Sequence, residues 1–88
     1  MREIISGKVY DTEEATLIAS GRRSNGWRNH LYRSQKGAWF EVRQEVFLFW
    51  TVREIVGPMN PEQAYRWLHG SQQIELLRKY FAEKVNDA

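Results

Sequence analysis

Residues Glu45 to Val52, EVFLFWTV, form the most apolar stretch of this 88-residue sequence. β-Branched and aromatic residues dominate the stretch and charged residues bound it, which predicts a buried β-strand. Strand alternation places Phe47 and Phe49 on one face and four further residues on the other: Val46, Leu48, Trp50 and Val52. An apolar face on each side needs two covering layers, which a chain of this length has difficulty forming. We therefore expect Phe47 and Phe49 to be a self-association surface in a two-fold homodimer.

Glycine turns predict strands on the N-terminal side of this stretch. Ser6-Gly7 lies between two short apolar runs and predicts a hairpin over residues 3–10. A turn near residues 35–37 predicts a second hairpin, whose second strand runs to Gln44. Residues 22–29 have no apolar period and are predicted to be an exposed loop.

Helix signals occur on both sides of these strands. Asp11 or Thr12 can cap a short helix that ends at Gly21. Residues 60–63, Asn-Pro-Glu-Gln, are a strong helix start, and a second C-terminal helix is predicted from the apolar spacing after Gly70. The predicted fold is α+β in one domain, residues 1–88. It comprises an antiparallel sheet of four or five strands, a short N-terminal helix, and two C-terminal helices packed on the sheet.

The residue types that catalysis and metal binding need are sparse in this chain. Cysteine is absent, which excludes disulfides and thiolate chemistry and suits a reducing cytoplasm. His30 and His69 are the only histidines, and neither lies in a motif such as H-E-x-x-H. Glu13 and Glu14 suit the positive end of the predicted helix better than acid–base catalysis. We expect no enzymatic activity, catalytic residue, metal or cofactor.

Positive charge is concentrated in residues 21–36. This segment holds five of the 13 basic residues and no acidic residue, which leaves 8 basic and 11 acidic residues elsewhere. Trp27 lies among these arginines, and arginine beside an exposed aromatic side chain is typical of protein hot spots and nucleic-acid stacking sites. The predicted partner-binding residues are Arg22, Arg23, Trp27, Arg28, Arg33 and Lys36. The alternative is that Trp27 folds back on the core and the arginines are solvated.

Three segments carry a resemblance to a known group of proteins. They are IISGKVYDTEEATLIAS (residues 4–20), LYRSQKGAWF (residues 31–40) and GPMNPEQAYRWL (residues 57–68). In order and spacing the chain resembles, over about two-thirds of its length, a loose group of small proteins carried by bacteriophages, prophages and conjugative elements. The sequence differs from that pattern in its basic 21–29 segment and in EVFLFWTV.

The resemblance implies a mobile-element accessory protein in the cytoplasm of a bacterial host. Proteins of this style include inhibitors of host defence such as anti-CRISPRs. The resemblance thus implies a non-enzymatic protein that binds and inhibits or modulates a bacterial protein or nucleoprotein complex, for example a CRISPR effector.

Direct nucleic-acid binding by the basic segment is the second hypothesis. Its arginines would contact phosphates, and Trp27 or Tyr32 would stack on bases. No helix-turn-helix, RRM or KH signature accompanies the segment. We expect no membrane partner, because the longest apolar run is far short of the roughly 20 residues that span a bilayer.

Overall fold

The computed structural model describes residues 1–22 and 26–86 of the chain. In these ranges the strands are β1 (Arg2–Ile5), β2 (Lys8–Asp11), β3 (Thr16–Arg22), β4 (Trp27–Arg33), β5 (Trp39–Phe47) and β6 (Trp50–Met59). The helices are α1 (Pro61–Gly70) and α2 (Ile74–Tyr80), followed by a 3₁₀ turn (Ala82–Lys84). None of these helices is long and apolar enough to cross a membrane.

The predicted fold class is wrong in its balance and in one element. Strands account for 49% of the structure and helices for 24%, so the chain is mostly β. The strands form a two-stranded sheet, β1-β2, and a four-stranded antiparallel sheet with the order β3-β4-β5-β6. The two C-terminal helices are present as predicted, but the N-terminal helix is not.

The predicted N-terminal helix fails because its cap signal forms only one turn. Asp11 accepts a hydrogen bond from the Glu13 amide at 3.0 Å, and its own carbonyl accepts one from the Ala15 amide at 3.0 Å. The Glu13 hydrogen bond, with Arg2 beside the carboxylate, holds the pKa of Asp11 below its usual range. The chain then enters β3, where Thr16 and the residues that follow prefer extended backbone.

Gly21 lies in β3 and does not end a helix. A Cβ atom built on Gly21 would lie 4.0 Å from the ring of Trp67, so a small residue here leaves room for α1. The predicted loop is also partly wrong, because residues 27–29 begin strand β4.

The prediction of a single buried strand over residues 45–52 is wrong. The chain reverses inside this stretch, where Phe47 pairs with Trp50 across a turn formed by Leu48 and Phe49. The stretch therefore belongs to two strands, and its apolar side chains are mostly exposed.

Both hairpin turns at glycine occur where the sequence predicts them. Ser6 and Gly7 have φ values of 52° and 78°, the left-handed backbone that a tight two-residue hairpin turn requires. At the second turn the Gly37 amide donates to the Ser34 carbonyl, and Gly37 has a φ of 89°.

The α1 start also confirms its sequence signal. The Asn60 side chain accepts from the Gln63 amide, and the Gln63 side chain accepts from the Asn60 amide, both at 2.8 Å. This capping box, with Pro61 at the first helical position, sets the direction in which α1 leaves the sheet.

The four-stranded sheet is covered differently on its two faces. On the helix face, α1 and α2 pack against β3, β4 and β5 through a buried cluster: Ala19, Leu31, Trp39, Ala64, Leu68, Leu77 and Phe81. On the opposite face, which we name the hairpin face, residues from β2, β5 and β6 form a second buried cluster: Tyr10, Phe40, Val42 and Val56. Trp39 and Phe40, adjacent on β5, thus enter different cores.

Both covering layers leave one end of the sheet open. We name as the distal end the rungs that include Arg22, Trp27, Phe47 and Trp50, and as the proximal end those near Arg33 and Trp39. On the hairpin face the buried cluster stops at the rung of Val42 and Val56. The distal end is therefore the place where a partner could meet the sheet directly.

Candidate partner-binding site

The turn between β5 and β6 exposes a contiguous set of large apolar side chains. We name residues Phe47 to Val52 the aromatic tip. The exposed fractions are 67% for Phe47, 73% for Leu48, 97% for Phe49, 73% for Trp50 and 56% for Val52. Single exposed apolar residues are ordinary, but a cluster of this kind marks an interaction surface or an aggregation hazard.

The aromatic tip also contains a strained residue. Leu48 has a φ of 57°, a left-handed conformation that a branched side chain adopts at a cost of about 1–2 kcal/mol. Glycine or asparagine is the usual residue at such a hairpin position. The tip thus retains a large apolar side chain at a position where glycine would be less strained.

Replacing Leu48 with Gly should raise the free energy of unfolding by about 1 kcal/mol, because glycine adopts this φ without strain. The matched variant is Phe49→Gly, at the neighbouring exposed position outside the left-handed region. It should leave stability unchanged or lower it. Urea denaturation measures both, and an equal loss in the two variants would show that Leu48 is unstrained.

Trp27 lies beside the aromatic tip on the helix face. It pairs with Glu45, and the next residue of β5 on that face is Phe47, which pairs with Trp50. The Val46 amide donates to the Gly26 carbonyl at 3.0 Å, which ties the start of β4 to the tip. Trp27 is only half-buried and does not belong to either buried cluster.

Arginines flank these aromatic side chains on the helix face. Arg53 pairs with Glu45, and Arg43 lies one rung closer to the helices, where its Nε is 3.5 Å from the Glu41 carboxylate. Glu41 also accepts a hydrogen bond from the Trp67 indole at 2.7 Å, which anchors α1 to β5. Aromatic side chains next to arginines have the composition of a protein interface hot spot.

A ladder of polar side chains crosses the hairpin face. The Ser20 hydroxyl lies 2.8 Å from Nδ1 of His30, Nε2 of His30 lies 2.9 Å from Oε1 of Gln44, and the Gln44 amide donates to Glu54 at 3.3 Å. Because the Gln44 nitrogen faces Glu54, its oxygen faces His30 and accepts a hydrogen bond from Nε2. One side chain from each strand of the sheet is thus held in place.

On the next rung towards the distal end, two arginines lie directly opposite each other. Arg22 and Arg28 are exposed and form a cross-strand pair. The pair places two positive charges directly opposite each other in the sheet. By strand alternation, both arginines lie on the hairpin face and Trp27 on the helix face.

Comparisons with protein-family models, curated proteins and solved structures gave no match. The site is therefore interpreted from its geometry and chemistry. Among residues 1–22 and 26–86, no group of three or more histidine, aspartate or glutamate side chains could hold a metal ion.

The structure divides the basic residues that the sequence grouped together. Arg22, Trp27 and Arg28 lie at the distal end, while Arg33 is five residues further along β4, about 17 Å away at 3.3 Å per residue. The Arg33 guanidinium lies over the rings of Trp39 and Tyr80, at 5.1 and 5.3 Å from their centroids. Lys36 lies near Arg33, where both line a polar cavity of about 470 Å³. Arg23 lies outside the described residues.

Other residues of the site were not identified from the sequence. Leu48, Trp50 and Val52 are exposed although strand alternation predicts a buried face for them, and Arg43 and Arg53 are not among the predicted partner-binding residues. The observable signal was that EVFLFWTV and its flanking arginines continue directly from the second hairpin without a linker. A meander of hairpins would have placed all of them at one end of the sheet.

Proposed function

We propose that this protein is a non-enzymatic binding protein that docks on a bacterial protein or nucleoprotein complex through the aromatic tip. The observation that carries the proposal is the exposure of four consecutive large apolar residues, Phe47 to Trp50, at a strained turn. An apolar side chain that is 97% exposed, such as Phe49, contributes almost no burial energy to the fold.

The chemistry of the tip favours a protein surface as its immediate contact. Tryptophan and arginine are enriched among residues that dominate binding energy, and they work best when a partner desolvates them fully. The apex of a hairpin is convex, so a concave apolar cleft on the partner would cover it. Arg53, which is exposed beside the tip, favours an acidic group at the rim of that cleft.

The class of partner comes from the sequence resemblance to mobile-element proteins. Accessory proteins of that style include inhibitors of host defence, and a small binding protein acts on such a complex by occupying a surface that the complex needs. We therefore propose that the protein inhibits or modulates a bacterial defence complex, as anti-CRISPRs do.

Plasmid interference in bacteria tests this proposal directly. The chain is expressed in strains that each carry one type of CRISPR system with a guide against a transformed plasmid. In the strain whose CRISPR system the protein inhibits, transformation by the targeted plasmid should rise to the level of an untargeted plasmid. The Phe49→Ser variant should fail to restore transformation at equal expression. If transformation by the targeted plasmid rises in no strain and the purified chain binds no effector complex, the proposed inhibitor function is wrong.

A further inference from the structure

The polar side of the distal end offers a second contact that differs chemically from the aromatic tip. Two rungs of the β3-β4 ladder present Ser20 opposite His30 and Arg22 opposite Arg28 on the hairpin face. The Cβ atoms of residues directly opposite each other in such a ladder are about 5 Å apart. The two guanidinium groups can therefore reach the same anionic group or two consecutive ones.

The surroundings of this arginine pair are polar and fixed. His30, Gln44 and Glu54 are held by the hydrogen-bonded ladder described above, so the surface beside the arginines is an ordered strip of polar side chains. The buried apolar cluster of the hairpin face begins only at the rung of Val42. A ligand at Arg22 and Arg28 would therefore be bound through charge and hydrogen bonds, without an aromatic anchor.

This chemistry suits a phosphodiester backbone better than an acidic protein surface. Phosphate contacts are made by arginines and polar side chains alone, and the guanidinium fork matches phosphate oxygens. Protein interfaces instead depend on apolar anchors, which the molecule carries on the aromatic tip. Glu54 lies two strands from Arg28, about 10 Å away, and would keep a phosphate chain on the β3-β4 side of the face.

We infer that Arg22 and Arg28 bind the phosphate backbone of a nucleic acid carried by the partner complex, while the aromatic tip contacts its protein. This inference rests on the proposed function, because it assigns the two sides of the distal end to the two components of one nucleoprotein.

Fluorescence anisotropy with a labelled 20-nucleotide oligo-dT tests the inference on the purified chain. The wild type should bind at low salt and lose affinity as salt rises. Arg22→Gln with Arg28→Gln should weaken binding at least about tenfold at low salt and reduce the slope of log affinity against log salt by about 1.4, or 0.7 for each phosphate contact removed. The melting temperature of this variant should change little, because both arginines are exposed.

Two controls separate this site from general attraction to positive charge. Arg66→Gln with Lys79→Gln removes the same net charge from the helices, where Arg66 lies 3.5 Å from Glu62, and should change the affinity less than about threefold. Phe49→Ser with Trp50→Ser should leave oligonucleotide binding unchanged.

Three results would overturn the inference. They are no oligo-dT binding at low salt, an equal loss in the helix control, and displacement by a poly-glutamate peptide as effective as displacement by unlabelled oligo-dT. None of these bears on the protein contact of the aromatic tip, so the proposed function would stand or fall separately.

Discussion

Replacing Phe49 and Trp50 together with serine should weaken binding to the partner complex by about 100-fold or more. Both side chains are at least 73% exposed, so the substitutions remove interface area without opening the core. Loss of one hot-spot residue costs about 2 kcal/mol or more of binding, and 1.4 kcal/mol corresponds to a tenfold change in affinity. Most of the loss of affinity should appear as a faster dissociation rate. Binding of each variant to surface-immobilised effector complex measures this rate.

Ile4→Ser is the matched control for this variant. Ile4 is 71% exposed on β1, away from the distal end, so its substitution removes exposed apolar area outside the proposed site. It should bind like the wild type. Equal affinities for the tip variant and the wild type would show that the partner binds elsewhere.

Light scattering of the same proteins tests the homodimer that the sequence predicts. If the aromatic tip binds a second copy of the chain, the wild type is a dimer at high micromolar concentration and the double serine variant is a monomer. A wild-type monomer at that concentration would contradict self-association through Phe47 and Phe49.

Replacing Leu68 with Ala should destabilise the fold by about 2–5 kcal/mol. Leu68 is fully buried on α1, within the cluster that joins the helices to Leu31 and Trp39. Truncation removes apolar contacts and leaves a cavity between two layers that cannot easily collapse. A small domain has only about 5–15 kcal/mol of total stability, so this loss is a large part of it.

Urea denaturation should show this loss as a lower midpoint with an unchanged slope. Ile74→Ala is the matched control, because Ile74 begins α2 and is 54% exposed. Its effect should stay within about 0.5 kcal/mol. A change of similar size at both positions would mean that the helices do not pack on the sheet as described.

Local signals in the sequence predicted those elements whose chemistry acts over a few residues. The Ser6-Gly7 turn and the Asn60 to Gln63 capping box each depend on neighbours within four residues, and both occur in the structure. Trp39 and Phe40 enter different clusters for the same kind of local reason, because the period of two is a property of the strand itself.

The elements that the sequence did not predict depend on contacts between distant segments. The Asp11 cap signal is real, but pairing of β3 with β4 decides the conformation of the residues after it. The reversal inside EVFLFWTV has no glycine, proline or asparagine to mark it, because the turn uses a leucine in a strained conformation. A loop at residues 27–29 would have no strand alternation, whereas strand β4 places Trp27 on the helix face and Arg28, with its partner Arg22, on the hairpin face.

The strand order of the larger sheet has a consequence for how the chain reaches its native state. Each strand from β4 to β6 pairs with the strand that precedes it in sequence, so every pairing in this sheet closes only a short loop. Such a topology has a low contact order and is expected to fold quickly. Hairpins can add one after another as the chain leaves the ribosome, and α1 and α2, which come last, then cover the helix face.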